Sequence, residues 1–232
     1  MSGQEDCLFL TISSPGLVSE GLKPVMVWIH GGGFIEGDIG TFHDPEFLID
    51  EDIVYVGLQY RLGILGFLAL ENSASLTGNL GLKDQQEALR WIQRNIAFFG
   101  GDPARVTIFG ESAGGVSVHA HVLSPPARGL FRAAIMQSGT ALLTYERLVQ
   151  RRTEAEGRRL VEDLGCGEAT DMLACLQQLD LETFIGPGIE AKYIWPVQVV
   201  GRQSDHYWTN CQKTTFLLTL FIFLRIGMNK IL

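Results

Sequence analysis

Residues 105–115, Arg-Val-Thr-Ile-Phe-Gly-Glu-Ser-Ala-Gly-Gly, are the stretch of this chain that decides its fold. The run at 105–109 predicts a buried strand, and the small and apolar residues at 113–123 predict a helix. Between them lies the pattern G-x-S-x-G, in which a serine occupies a sharp turn from strand to helix. Such a turn strains the serine backbone and brings strand and helix close together, so its neighbours must be small. The sequence therefore predicts that Ser112 is a nucleophile at the end of a strand.

A second glycine-rich turn comes earlier in the chain. His30-Gly31-Gly32-Gly33 follows the apolar segment 24–29, which predicts another strand. When a serine attacks an ester carbonyl, negative charge develops on the carbonyl oxygen, and fixed backbone N–H groups stabilise it. In this arrangement a glycine loop and the residue after the nucleophile supply the N–H groups, here Gly32, Gly33 and Ala113. The glycine loop alone is better explained as a flexible turn after a strand, and for Ser112 alone the alternative is a small turn residue. Together, in this order and each after its own strand, they favour an oxyanion hole.

Strand and helix patterns alternate around these two turns. An amphipathic helix is predicted at 82–99 and is ended by Gly100-Gly101-Asp102-Pro103. Strands are predicted at 25–29, 53–58, 106–109 and 133–136. This alternation predicts the α/β class: a mostly parallel sheet flanked by helices, with a helical region at 145–184 after the nucleophile segment. Ligands of such sheets bind at the carboxyl ends of the strands, where both glycine turns fall.

These motifs, with several others, resemble the type-B carboxylesterase/cholinesterase family, which has the α/β-hydrolase fold. The further matching segments lie in the family's order: Glu5-Asp6-Cys7-Leu8-Phe9-Leu10, Tyr60–Gly63 with Leu65–Phe67, Asn79–Gln85, Phe98–Pro103 and Gln137–Gly139. The resemblance implies a carboxylic-ester hydrolase that forms an acyl-enzyme on Ser112, acts on a small-molecule ester and needs no cofactor. The alternative is a non-catalytic relative used for binding or adhesion, but such relatives typically lose the nucleophile, which is intact here.

The resemblance also implies a partial α/β-hydrolase fold. It assigns residues 1–200 to an incomplete carboxylesterase domain and leaves residues 201–232 as a non-homologous tail. In the family, the acid and the histidine of the catalytic triad come from later segments, so this chain is expected to be an inactive fragment. His206 lies in the unmatched tail. His119 and His121 follow the elbow and are expected to be packing or surface residues, and His30 is expected to be a structural hydrogen bonder.

Several further roles rest on the resemblance alone. Cys166 and Cys175 resemble the family's short-loop disulfide, and two reduced cysteines are the alternative in a cytosol. Cys7 resembles a cysteine whose partner lies upstream in the family. Glu111 resembles an acid beside the bound substrate; it is expected to be half-buried, and either tunes the local electrostatics or hydrogen-bonds neighbouring backbone. Trp195 resembles a residue of the acyl pocket, with a core or interface role as the alternative.

Composition narrows the possible partners. With 232 residues, 46% of them hydrophobic, the chain can form one sizeable core. A net charge of −8 argues against nucleic acid as a partner. The longest apolar run, 216–224, is far shorter than the roughly 20 residues that a membrane span needs, so no integral membrane span is expected. No metal-ligand cluster or dinucleotide fingerprint is present. The first residues lack a signal-peptide pattern, whereas the family is typically secreted or luminal; localisation and oligomeric state stay open.

Overall fold

The computed structural model describes residues 6–16, 21–39, 45, 48, 50–70, 73, 76, 78–141, 146–186 and 225–227. The chain divides into two compact units. One comprises Met1–Tyr60, Leu82–Ala141 and Asp205–Leu232, and the other comprises Arg61–Gly81 and Leu142–Ser204. The first unit contains the sheet and both glycine turns, so it is the unit that positions the candidate site.

The first unit is built on a mixed, mostly parallel sheet. Its strands, in chain order, are β1 Phe9–Ser13, β2 Lys23–Ile29, β3 Val54–Leu58, β4 Gly101–Glu111, β5 Ala133–Gln137 and a short β6 Arg225–Gly227. Their order across the sheet is β5-β4-β2-β3-β1-β6. Strands β2, β3, β4 and β5 pair in parallel, whereas β1 is antiparallel to β3 and β6. This sheet confirms the predicted fold class.

The central strands are apolar because both faces of the sheet are covered. All of β3 is buried, as is β2 from Val25 onward. The predicted strands agree closely with the observed ones except for β4, which starts at Gly101 rather than Val106. The sequence indicated only that the glycines and proline at 100–103 end a helix. They also lie beside β2, where Lys23 N donates to Gly100 O at 2.8 Å, and this pairing extends the strand.

Two helices follow the predicted pattern in this unit. Helix α2, Leu80–Asn95, passes into a 3₁₀ turn at Ile96–Phe99 and ends at Gly100, whose left-handed φ of 82° favours glycine. Its predicted apolar face is buried at Leu82, Leu89, Ile92 and Ile96, whereas Phe99 is only half-buried. Helix α3, Ala113–Leu123, has the predicted bounds.

The described residues of the second unit include helices α1 Gly63–Phe67, α4 Glu146–Asp163, α5 Met172–Leu176 and α6 Leu181–Ile185. The three helices at 146–185 confirm the helical region predicted after the nucleophile segment. Side chains from these helices and their connections form one apolar cluster that includes Leu68, Leu160, Val161, Leu176 and Phe184. Cys166 lies within this cluster and forms the predicted disulfide with Cys175, with a Cα–Cα distance of 5.8 Å.

Within the described ranges, no helix has both the length and the apolarity required to cross a bilayer.

Candidate active site

Ser112 lies on the turn between β4 and α3. Its backbone has φ 54° and ψ −120°, and residues other than glycine rarely adopt a positive φ. Two hydrogen bonds hold it there: Ser112 N donates to Gln137 O at 2.8 Å, and Ser112 O accepts from Val116 N at 3.0 Å. The strain is therefore balanced by bonds to strand β5 and to the first turn of α3. The side chain is half-buried.

Four glycines permit the close packing around this turn. An added Cβ would collide with Ile29 O at Gly114 and with Ser112 O at Gly139. At Gly110 it would lie 2.6 Å from Ile29 O, and at Gly115 2.8 Å from Gln137 O. Only glycine allows the backbones to come this near. The small residues that the sequence required beside Ser112 are thus explained by contacts with β2 and β5.

The glycine loop that follows β2 reaches Ser112. Ile29 of β2 pairs with Gly110 of β4, so both turns lie at the same edge of the sheet. A Cβ on Gly31 would lie 3.3 Å from Ser112 Cβ and 2.8 Å from Glu111 O. Gly32 and Gly33 then continue with φ values of 99° and 61°. The loop and the serine are brought together as the two sequence motifs require, and Ala113, the first residue of α3, is buried beside them.

The loop is fixed by hydrogen bonds to its carbonyl oxygens. Gly32 O accepts from the N–H groups of Ile35 and Glu36, both at 3.0 Å. His30 Nδ1 lies 2.8 Å from Gly31 O; because a carbonyl oxygen only accepts, Nδ1 carries the hydrogen. His30 is thus the structural hydrogen bonder that the sequence analysis expected.

Tyr60 is the residue of this site that sequence reasoning missed. Its hydroxyl donates to His30 O at 2.8 Å, and its ring stacks on the imidazole at a centroid distance of 4.4 Å. It follows strand β3, whose last residue, Leu58, pairs with Ile29. The sequence contained a signal for this position, because a polar aromatic residue two positions after a strand parallel to β2 is expected at the same edge of the sheet.

Glu111 differs from expectation. Its side chain is exposed, so the expected half-buried carboxylate is wrong. Glu111 is the last residue of β4 and pairs with Gln137, the last residue of β5, which is also exposed. The two strands end together there, and the carboxylate extends from that end toward Gly31, where its Oε2 lies 3.2 Å from an added Cβ.

The two histidines of α3 are buried and hydrogen-bonded away from the turn. His121 Nε2 donates to Gln85 Oε1 at 2.7 Å, and Gln85 Nε2 donates to Ser117 Oγ at 3.1 Å. His119 Nδ1 accepts from Ala141 N at 3.1 Å. Burial lowers the pKa of His121 to about 4 and also lowers the pKa of His119. Both are packing residues, one of the two roles that the sequence allowed.

Other predicted positions give no structural test. Trp195 and His206 lie outside the described residues, as does most of the predicted tail. Among the residues that are described, no group of histidine, cysteine, aspartate and glutamate side chains is arranged to hold a metal ion.

The fold and this strand-to-helix serine turn define the class of α/β-hydrolases. The sequence model of the Carboxylesterase family matches residues 1–197, and the chain belongs to that family. It is 49% identical to mouse acylcarnitine hydrolase over 176 residues, 75% of this chain and 31% of the relative. It is 56% identical to rabbit cocaine esterase over 140 residues (60% and 26%) and 42% identical to rabbit liver carboxylesterase 1 over 219 residues (93% and 37%). The chain thus spans about a third of the length of these relatives.

Proposed function

We propose that this chain carries the nucleophile and the oxyanion hole of a serine carboxylesterase that acts on small-molecule esters. The observation that carries the proposal is the strained turn at Ser112 with the Gly31 backbone packed against its side chain. The relatives named above are esterases and a hydrolase, which supports ester hydrolysis as the reaction.

In the proposed reaction, Ser112 Oγ attacks the carbonyl carbon of the ester and loses its proton to a base. The carbonyl oxygen becomes an oxyanion, the alcohol leaves with a proton, and an acyl group remains on Ser112. Water then attacks this acyl-enzyme, releases the carboxylic acid and returns the proton to Ser112. Splitting one difficult displacement into two easier steps is the advantage of the covalent intermediate.

The proposed oxyanion hole consists of the N–H groups of Gly32, Gly33 and Ala113. Ala113 is the first residue of α3, where the N–H groups have no partner within the helix and carry the positive end of its dipole. The positive φ values of Gly32 and Gly33 suit a loop that turns its N–H groups toward a ligand. Each such donor typically contributes about 2.7–4 kcal/mol to lowering the barrier.

A serine hydroxyl is a weak nucleophile until a neighbouring base removes its proton. His119 and His121 are buried and bonded to Ala141 N and Gln85 Oε1, and His30 donates through Nδ1 to the carbonyl oxygen of the adjacent Gly31. These contacts give the three histidines structural roles, and we propose that this polypeptide, expressed by itself, shows no Ser112-dependent turnover. Without the acid and histidine of a triad, an oxyanion hole and substrate binding leave a rate enhancement of only about 10³–10⁴-fold over the reaction in water.

Fluorophosphonate labelling tests both parts, because it reports an activated serine. The probe is applied to the 232-residue chain and to a chimaera in which residues 5–197 replace the matching segment of rabbit liver carboxylesterase 1. We expect fast labelling of the chimaera at Ser112, none in its Ser112→Ala variant, and slow labelling of the chain itself. An unlabelled but folded chimaera would refute the assignment of Ser112. Fast labelling of the chain itself would refute its inactivity. His206 would then be the first candidate for the base, and His206→Ala should abolish the labelling.

A further inference from the structure

We propose that Tyr60 and His30 form a positioning pair that aims the Gly32 N–H group at the developing oxyanion. The proposal rests on the function proposed above, since it assigns a role within the same site. The pair acts through the backbone of the glycine loop.

The argument starts from the planarity of the peptide bond. A trans peptide holds its C=O and N–H groups in one plane and pointing in opposite directions. Whatever fixes the carbonyl oxygen of one residue therefore fixes the N–H group of the next. In a glycine-rich loop this matters more than elsewhere, because glycine restricts its own dihedral angles least.

Each peptide of the loop is fixed in this way by a separate group. Tyr60 Oη donates to His30 O and so orients the N–H of Gly31. His30 Nδ1 donates to Gly31 O and so orients the N–H of Gly32. The N–H groups of Ile35 and Glu36 donate to Gly32 O and so orient the N–H of Gly33. The two proposed donors of the loop, the N–H groups of Gly32 and Gly33, are thus oriented by different hydrogen-bond partners on the opposite side of their peptide planes.

The side chain of His30 can do this only if it is itself held, and Tyr60 supplies that support. The two rings stack at a centroid distance of 4.4 Å and an interplanar angle of 19°. An added Cβ on Gly37 would collide with His30 Nδ1, so the chain also packs closely against the imidazole at Gly37. Tyr60 is 1% exposed and His30 2%, so water does not compete strongly for these bonds.

Hydrogen exchange in the 232-residue protein tests the proposal without any chemistry at Ser112. Tyr60→Phe keeps the stacked ring and removes only the hydroxyl. The amides of Ile35 and Glu36 report on the loop because both donate to Gly32 O, on the residue whose N–H group the pair orients. We expect their exchange to become roughly five-fold faster, which is the effect of losing about one ordinary hydrogen bond. The amides of β5 serve as the internal reference, because a general loss of stability would raise their exchange equally.

Tyr55→Phe is the matched control. Tyr55 is another fully buried tyrosine of the same unit, on strand β3, and its variant also loses one buried hydroxyl. We expect it to leave loop exchange unchanged. Spectra of protein labelled with ¹⁵N-glycine provide a second measurement: Tyr60→Phe should shift the signals of Gly31 to Gly33, whereas Tyr55→Phe should not.

Several outcomes would overturn the proposal. Unchanged exchange at Ile35 and Glu36 in Tyr60→Phe would do so, as would an equal increase in Tyr55→Phe. If Tyr60→Phe does not fold, as judged by circular dichroism, His30→Ala is measured instead, and unchanged loop exchange in it would overturn the proposal too. Failure of Ser112 to react in the labelled chimaera would count against the esterase function and with it the oxyanion role of the pair, whereas exchange decides separately whether the pair holds the glycine loop.

Discussion

Gly114, in the first turn of α3, lies directly against the carbonyl oxygen of Ile29, the last residue of β2, so closely that no Cβ would fit. This contact joins the helix that follows Ser112 to the strand that precedes the glycine loop. The relative position of the two motifs therefore depends on the absence of one methyl group.

Gly114→Ala should destabilise the protein by about 1–3 kcal/mol, because its methyl group meets backbone that cannot move aside easily. Gly16→Ala is the control, since nothing lies within 4 Å of the added Cβ and φ there is not positive. Urea denaturation of both variants measures the difference. Equal midpoints would mean that α3 can shift away from β2 at little cost.

Ser112→Gly should be more stable than Ser112→Ala by roughly 1 kcal/mol. Positive φ at a residue with a Cβ costs on the order of 1–3 kcal/mol, and the entropy that glycine loses on folding offsets part of the gain. Both variants lack the hydroxyl, so the comparison isolates backbone strain at φ 54°. Thermal unfolding measures it, and an alanine variant as stable as the glycine variant would show that the turn is not strained.

Stability should fall as pH decreases from about 6.5 toward 4, in part because of His121. Burial depresses its folded pKa to about 4 from the ordinary 6.5. Between these values the unfolded chain binds a proton that the folded chain does not, so acid favours unfolding. The full contribution is on the order of 3 kcal/mol. His121→Gln removes the titrating group, and its free energy of unfolding should vary less with pH over this range than that of the parent. Identical pH profiles would contradict this.

The Cys166–Cys175 disulfide should stabilise the helical unit. The chain-entropy model gives roughly 3 kcal/mol for a loop of this short length. Cys175→Ser should therefore lower the denaturation midpoint, and reduction of the parent protein should have a similar effect. Cys7→Ser, which leaves the disulfide intact, controls for the loss of a thiol. Mass spectrometry of unreduced peptides checks the pairing, and two thiols at 166 and 175 in oxidised protein would refute it.

The strands and helices were largely predictable because local patterns determine them. An apolar run such as 25–29 can be satisfied only by burial on both sides, and the spacing of Leu82, Leu89 and Ile92 permits burial on one side of a helix. The boundary of β4 was predicted less well. Whether residues 101–105 form a strand depends on pairing with Lys23, which is distant in sequence.

By itself, the sequence determined the class of fold, the two glycine turns and their order. It did so because the strain at Ser112 and the close contacts around it can be met only by particular residue types. Only the tertiary structure decided what surrounds them. Tyr60 contacts His30 across 30 positions of the chain, and Glu111 is exposed where a half-buried carboxylate was expected. Such relations depend on which strands are neighbours and where they end together, and no local pattern of residues encodes that.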